Sequence, residues 1–278
     1  MDTAGARAVL LAPPALEDAT GRRIRRRRVI YICIPAHNEA RTIGVLLWKI
    51  RNVMGEFGRD YEILVLDDAS TDDTAATLDR YRSVLPVRVL RERERIGYPA
   101  ALEKLLREAV KRTAYPKRDA VVTLQGDFTD HPDHIVTLVK AIEGGADIVA
   151  GRRADAGRAA PGRVRLARRL APWVTGAGLR EAPVADPFCG FRAYRLIVLR
   201  KALRALGDGP LLTHDGWAGN FELLARVAPH SRRIEEVPLE TRYDIRTRPS
   251  RFRTVRTLRD LARVRGSTWT APEHEAAR

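Results

Sequence analysis

The sequence predicts an α/β protein: an open, mostly parallel β-sheet with helices on both faces and no transmembrane helix. Apolar, β-branched runs alternate with stretches whose apolar residues recur at helical spacing, the order of βαβ units. The runs are continuous rather than alternating, as in strands covered on both sides. Polar clusters follow directly on those runs, at the carboxyl ends where open sheets bind ligands.

The elements follow in order. VIYICIP (29–35) is the first strand, closed by proline, and Ile43, Leu46, Leu47 and Ile50 mark the apolar face of the helix after it. YEILVLDDAS (61–70) is the second strand, and Thr71 or Asp72 caps the next helix. VRVLRE (87–92) is a third strand, 96–113 a helix, DAVVTLQGD (119–127) a fourth strand, 131–145 a helix and ADIVAGRR (146–153) a fifth strand. Beyond 153 the pattern loosens into a basic helix-like stretch and a Pro- and Gly-containing loop through DPFCGFRAYR (186–195). A helix (219–229), a strand (232–243) and a basic helix-like stretch at 250–265 follow.

Residues 1–28 read as a flexible basic tail, 29–253 as one domain, and 254–278 as a basic amphipathic helix and tail. The 278 residues suffice for a substantial core. A formal charge of +15 implies an anionic partner: phosphorylated small molecules, an anionic membrane surface or nucleic acid. No aromatic platform or recognised motif supports nucleic acid, which is the weakest of the three. Cys33 and Cys189 offer neither a disulfide framework nor a metal spacing and read as reduced thiols of a cytoplasmic protein. The AVLLAPPAL stretch leads into RRIRRRR (22–28) rather than a cleavage site, and arginines interrupt each candidate span. The chain is therefore expected not to span a bilayer, which leaves open that it lies on one.

Neither GxGxxG nor GxxxxGK[ST] occurs. The ordered set PAHNE (35–39), LDDASTDDT (66–74), RERERIGYPAAL (91–102), QGDFTDHP (125–132), GRR (151–153), DPFCGFRAYR and YDIRTRPSRFR (243–253) resembles the inverting family 2 glycosyltransferases of GT-A fold. Within that family the resemblance is to the polyprenyl-phosphate sugar transferases, of the dolichyl-phosphate mannosyltransferase type. It covers about residues 29–253, and DPFCGFRAYR carries the lipid-phosphate likeness.

The resemblance implies a nucleotide-diphospho-sugar donor, Mg²⁺ or Mn²⁺, and displacement with inversion at the anomeric carbon. Pro35, Ala36 and Glu39 match nucleoside-holding positions, Asp68 a base or ribose contact, and Arg95 lies on a loop near the donor; Asp67 orders its own turn. Gln125, Gly126 and Asp127 align with the acidic metal motif, but Gln125 stands at its first acidic position. Asp127 is thus the one matching carboxylate. A hard cation completed by substrate phosphates needs only one or two carboxylates, and Gln125 can add a carbonyl oxygen.

A phosphate acceptor arrives already anionic and requires positive groups rather than a general base. Arginine's planar donor fork suits it. The matching candidates are Arg153, Arg192 and Arg246, with Asp186 and Gly190 shaping the acceptor loop and Arg163 or Arg165 on the basic segment between. Phe252, Val255, Leu258 and Leu261 recur at near-helical spacing among arginines, a face suited to an anionic lipid surface or to packing on the domain. The expected protein is a peripheral glycosyltransferase on the cytoplasmic face of a membrane, acting on a polyprenyl phosphate. A soluble or saccharide hydroxyl acceptor, or sugar-nucleotide binding without transfer, are the alternatives.

Overall fold

In the computed structural model, residues 28–153, 162–175, 183–239 and 254–263 are described. Strand β1 (Val29–Ala36) leads through α1 (Ile43–Phe57) to β2 (Asp60–Asp68), then α2 (Thr74–Arg82), β3 (Val87–Glu92) and α3 (Tyr98–Arg112). Next come β4 (Ala120–Thr123), α4 (His134–Glu143), β5 (Ile148–Arg153) and α5 (Gly162–Thr175). The chain then forms β6 (Arg192–Arg195), α6 (Leu196–Leu206), α7 (Gly216–Val227), β7 (Ile234–Leu239) and α8 (Thr254–Arg263).

The strands make a seven-stranded sheet in the order β3-β2-β1-β4-β6-β5-β7. β6 runs antiparallel to both its neighbours, and every other pairing is parallel. The continuous apolar runs are explained by two cores. Ile30, Ile32 and Ile34 of β1 join Ile63 and Val65 of β2 on the face covered by α1 and α4. Tyr31 and Cys33 alternate to the other face with Leu64 and Leu66, under α3, α6 and α7. Each such fully buried aliphatic side chain contributes about 1.5–3 kcal/mol.

The structure corrects the predicted elements at two places. β6 and α6 arise within and after a segment read as loop. β4 ends at Thr123, so Gln125, Gly126 and Asp127 stand in the loop beyond it. The apolar stripe of α8, for which the sequence leaves both settings open, is divided: Leu261 is fully buried against Ala171, Ala218 and Phe221, whereas Val255 is exposed. Arg246, with the whole of 243–253 and Phe252, lies outside the described residues, as does the basic run before Arg28.

The three-strand seam β6-β5-β7 is tight at Gly151, whose amide donates to Phe191 O at 3.1 Å. A Cβ there would sit 2.1 Å from Leu239 Cδ1 and 2.8 Å from the Phe191 carbonyl oxygen. Gly151→Ala is expected to lower stability by about 1–3 kcal/mol, read as a lower urea midpoint with an unchanged slope. An unchanged midpoint would show that the seam relaxes freely.

Candidate functional site

Three loops meet where β1, β2 and β4 end. Each turns through a non-glycine residue in the left-handed region: Asn38 (φ 53°), Ala69 (φ 51°) and Phe128 (φ 61°). Such conformations cost on the order of 1–3 kcal/mol and persist only where the surroundings enforce them. Here side chains do so. The Asn38 amide donates to Ser70 Oγ at 3.0 Å, and its Oδ1 accepts from the Thr71 amide at 2.8 Å. His37 Nδ1–H donates to the Asp68 carbonyl at 2.7 Å. Asp67 Oδ1 accepts from the Ser70 amide at 3.1 Å, and Asp127 Oδ1 from the Thr129 amide at 3.1 Å. Asp72 accepts from the Thr74 amide at 3.0 Å and the Ala40 amide at 3.1 Å, tying the first two loops together.

Several residues expected to hold the donor are brought together. Pro35 and Ala36 close β1 opposite Leu66 and Asp67. Glu39 is 5% exposed, and its amide donates to Thr74 Oγ1 at 2.8 Å. Thr42 Oγ1 donates to the Gly126 carbonyl at 2.8 Å and lies 3.2 Å from Glu39 Oε2. A Cβ on Gly126 would stand 3.3 Å from Glu39 Cγ and 3.4 Å from the Pro35 carbonyl oxygen, so the loop after β4 lies directly on the loop after β1. Asp127 is 3% exposed beside it, and Gln125 is half-buried. Among the described residues no three or more His, Cys, Asp or Glu side chains gather to hold a metal ion. The two residues expected to hold the metal, Asp127 and Gln125, carry oxygen donors of the type a hard cation takes when a diphosphate supplies further oxygens.

Asp68 has a position that the sequence does not disclose. Its two oxygens accept from the Ile96 amide at 2.7 Å and the Gly97 amide at 2.9 Å, anchoring the 91–97 loop and the start of α3. Gly97, with φ 84°, makes that turn. Arg95 is exposed on this loop. A carboxylate has about four acceptor positions, so Asp68 keeps capacity for a ribose hydroxyl while it holds the loop.

The segment 186–192 is clamped from every side. Thr123 Oγ1 donates to the Gly190 carbonyl at 2.6 Å, Asn220 Nδ2 to the Phe188 carbonyl at 3.0 Å, and Tyr98 Oη to Asn220 Oδ1 at 3.2 Å. Burial pushes the Tyr98 phenol far above its usual range, which keeps it a neutral donor. Glu236 Oε1 accepts from the Ala185 and Asp186 amides at 2.9 and 3.1 Å. A Cβ on Gly190 would meet the Asn220 side chain at 2.9 Å. Asp186 is buried at the head of this loop.

Arg192 stands apart from the role expected of it. It is 1% exposed, and its guanidinium donates to the Asn220 carbonyl at 2.6 Å, the Pro187 carbonyl at 2.5 Å and Tyr194 Oη at 3.3 Å. The unforeseen β6 is the reason: pairing Arg192 with Thr123 and Ala150 turns its side chain inward. It braces the loop rather than reaching out of it. Arg153 is the last residue of β5, in register with Leu239. Arg165 is exposed on α5. Tyr98, Asn220 and Glu236 were not foreseen, because a lone polar residue inside an apolar helix or strand pattern carries no local signature of its partner.

The sheet order, the strand-end loops and the single antiparallel strand define the class: the GT-A glycosyltransferase fold. Residues 31–203, more than half of the chain, match the model described as glycosyl transferase family 2, and the chain belongs to that family. It is 32% identical over 124 residues to the dolichol-phosphate mannosyltransferase of Pyrococcus furiosus, covering 45% of this chain and 33% of that protein. It is 27% identical over 183 residues to the undecaprenyl-phosphate 4-deoxy-4-formamido-L-arabinose transferase of Pectobacterium atrosepticum, covering 63% and 51%. With the undecaprenyl-phosphate mannosyltransferase of Micrococcus luteus it shares 26% identity over 216 residues, covering 76% and 82%. The chain thus spans a third to a half of the first two relatives and most of the third. Among solved structures, the glucosyl-3-phosphoglycerate synthase of Mycobacterium tuberculosis, in complex with Mn²⁺, uridine diphosphate and phosphoglyceric acid, has the same fold. Its TM-score is 0.57 at 24% identity, covering 85% of this chain and 75% of that one.

The Asp68 clamp is open to a direct test. Asn at this position keeps one accepting oxygen and places a donor against the second amide, so Asp68→Asn is expected to release the 93–97 loop. Trypsin should then cut after the exposed Arg93 or Arg95 about tenfold faster or more, with the core still folded by circular dichroism. Equal cleavage rates would mean that the loop is held by other contacts.

Proposed function

We propose that this chain transfers a sugar from a nucleotide-diphospho-sugar to a polyprenyl phosphate, with inversion, at the cytoplasmic face of a membrane. One observation carries the reading. In a chain of glycosyl transferase family 2, the PAHNE, DDAST and QGD loops converge on one strained edge of the sheet. The names of the relatives in Pyrococcus, Pectobacterium and Micrococcus, all polyprenyl-phosphate sugar transferases, support the acceptor class.

In this reading Pro35, Ala36, Glu39 and Asp68 hold the nucleoside, and the 91–97 loop with Arg95 covers it. Gln125, Gly126 and Asp127 receive the diphosphate. Asp127, with Gln125, would hold Mg²⁺ or Mn²⁺, which when bound offsets the charge that builds on the departing diphosphate. The acceptor's phosphate oxygen is already anionic, so no side chain has to take a proton from it. Arg153 and Arg246 orient that oxygen toward the anomeric carbon, where the new C–O bond forms as the bond to the diphosphate breaks. Asp186 and Gly190 set the shape of the acceptor loop, and Arg192 braces it from within. Its buried guanidinium acts through Pro187 and Asn220, not on phosphate.

Purified protein with Mn²⁺ or Mg²⁺, a panel of labelled sugar nucleotides and polyprenyl phosphate is expected to yield a product that extracts into organic solvent. Asp127→Ala should lower that turnover about a hundredfold or more, and full activity would remove Asp127 from metal binding. A labelled product confined to the aqueous phase with saccharide acceptors would favour the hydroxyl-acceptor enzyme. Tight donor binding without any transfer would favour a protein that binds sugar nucleotides only.

A further inference from the structure

The arginine-rich helix α5 turns an apolar stripe to the solvent. Leu166, Leu170 and Trp173 recur at i, i+4 and i+7 and so share one helix face. They are 52%, 37% and 83% exposed, and the exposed Arg165 and Arg169 flank them. The other side of the helix is the packed one: Ala171 and Val174 enter a cluster with Phe188, Ala218, Phe221 and Leu261. Phe188 belongs to the clamped acceptor loop and stacks on Trp217 at 5.3 Å between centroids. Helix α8 packs against α5 and adds Val255, 82% exposed.

We propose that the outer face of α5 docks the protein on an anionic lipid leaflet, with Leu166, Leu170 and Trp173 entering the headgroup boundary. The inference rests on the reading of the acceptor as lipid-borne, and it names the surface that meets the lipid. Burying three apolar side chains between arginines calls for a partner both apolar in depth and negative at its surface, which an anionic bilayer is. A second copy of this +15 chain would set arginine against arginine. Tryptophan, apolar in body with one N–H, suits the membrane interface. Fourteen helical residues span only about 21 Å, so α5 lies in the plane of the surface rather than crossing it. One helix diameter, about 10 Å, separates the outer stripe from the layer of Phe188. The acceptor loop thus packs directly behind the helix proposed to meet the lipid. For the stripe on α8 the sequence leaves open a lipid surface or packing on the domain; Leu261 takes the packed alternative, while on α5 the exposed stripe remains.

The test is co-sedimentation of the full chain with vesicles of phosphatidylcholine alone or mixed with phosphatidylglycerol. Wild type is expected to partition onto the anionic vesicles. The combined variant Leu166→Ser, Leu170→Ser, Trp173→Ser should bind them about tenfold more weakly or worse, with an unchanged thermal midpoint. Trp48→Ala is the control, since Trp48 is also exposed, lies on α1 and is covered by the Arg51 guanidinium at 4.7 Å; it should bind as wild type does. Should the triple variant unfold, Trp173→Phe answers instead: it should remove the blue shift of tryptophan emission that vesicles cause in the wild type. Partitioning of the triple variant within about twofold of wild type overturns the proposal. So does an equal loss in Trp48→Ala, a blue shift retained without Trp173, or a wild-type dimer that the triple variant dissolves. A water-soluble short-chain prenyl phosphate separates the two readings. Turnover on it should be equal in wild type and triple variant. If neither uses it while vesicle binding still depends on the stripe, the lipid-phosphate transfer reading fails and the docking surface stands.

Discussion

The architecture of this edge depends on one kind of interaction, the acceptance of backbone N–H groups by aspartate carboxylates just past the ends of the parallel strands. A chain leaving a parallel strand must turn back over the sheet, and its amides lose their ladder partners there. Asp67, Asp68, Asp72 and Asp127 each take up such amides. Together with the bonds of Asn38 to Ser70 and Thr71, they hold Asn38, Ala69 and Phe128 in backbone conformations that these residues would not adopt alone. The loops are thus fixed before any ligand arrives, which spares a bound nucleotide the cost of ordering them.

The same bonds give the edge an electrostatic character opposite to that of the protein as a whole. The chain carries +15, yet Glu39, Asp67, Asp68, Asp127 and Asp186 are all buried. A diphosphate brought among carboxylates is repelled unless positive charge accompanies it. The proposed cation thus has a second purpose besides steadying the leaving group, namely to make entry of the donor favourable. Arginines are also concentrated on α5 and α8, the helices of the proposed lipid-facing surface.

Much of the fold was readable because its signals are local. The run VIYICIP and the recurrence of Ile43, Leu46, Leu47 and Ile50 specify a strand and a helix with no knowledge of the rest of the chain. The strand-end clusters PAHNE, DDAST and QGD were readable as one site because strand order alone brings them to the same edge. What was hidden depends on partners far along the chain. RAYR has an arginine at either end and no apolar run, so β6 exists only because β4 and β5 supply ladders on both sides. The inward turn of Arg192 follows from that pairing, and an arginine that ends on carbonyl oxygens reads in sequence like one that ends on phosphate. Likewise, the periodicity of α8 marks an apolar face without saying what covers it, and here Ala171 and Phe221 do.

Gln125 is intelligible in these terms. A second carboxylate two residues from Asp127, with Glu39 packed on the intervening Gly126, would add like charge beside these two buried acids. Like charges at close range oppose ionisation, so part of the gain in metal affinity would be lost to protonation of the group. The amide avoids this conflict while still offering an oxygen, and in the proposed reading it would leave the cation dependent on the oxygens of the diphosphate to complete its shell. Metal and donor then stabilise each other's binding reciprocally. A site built this way would hold its cation weakly until the nucleotide is present.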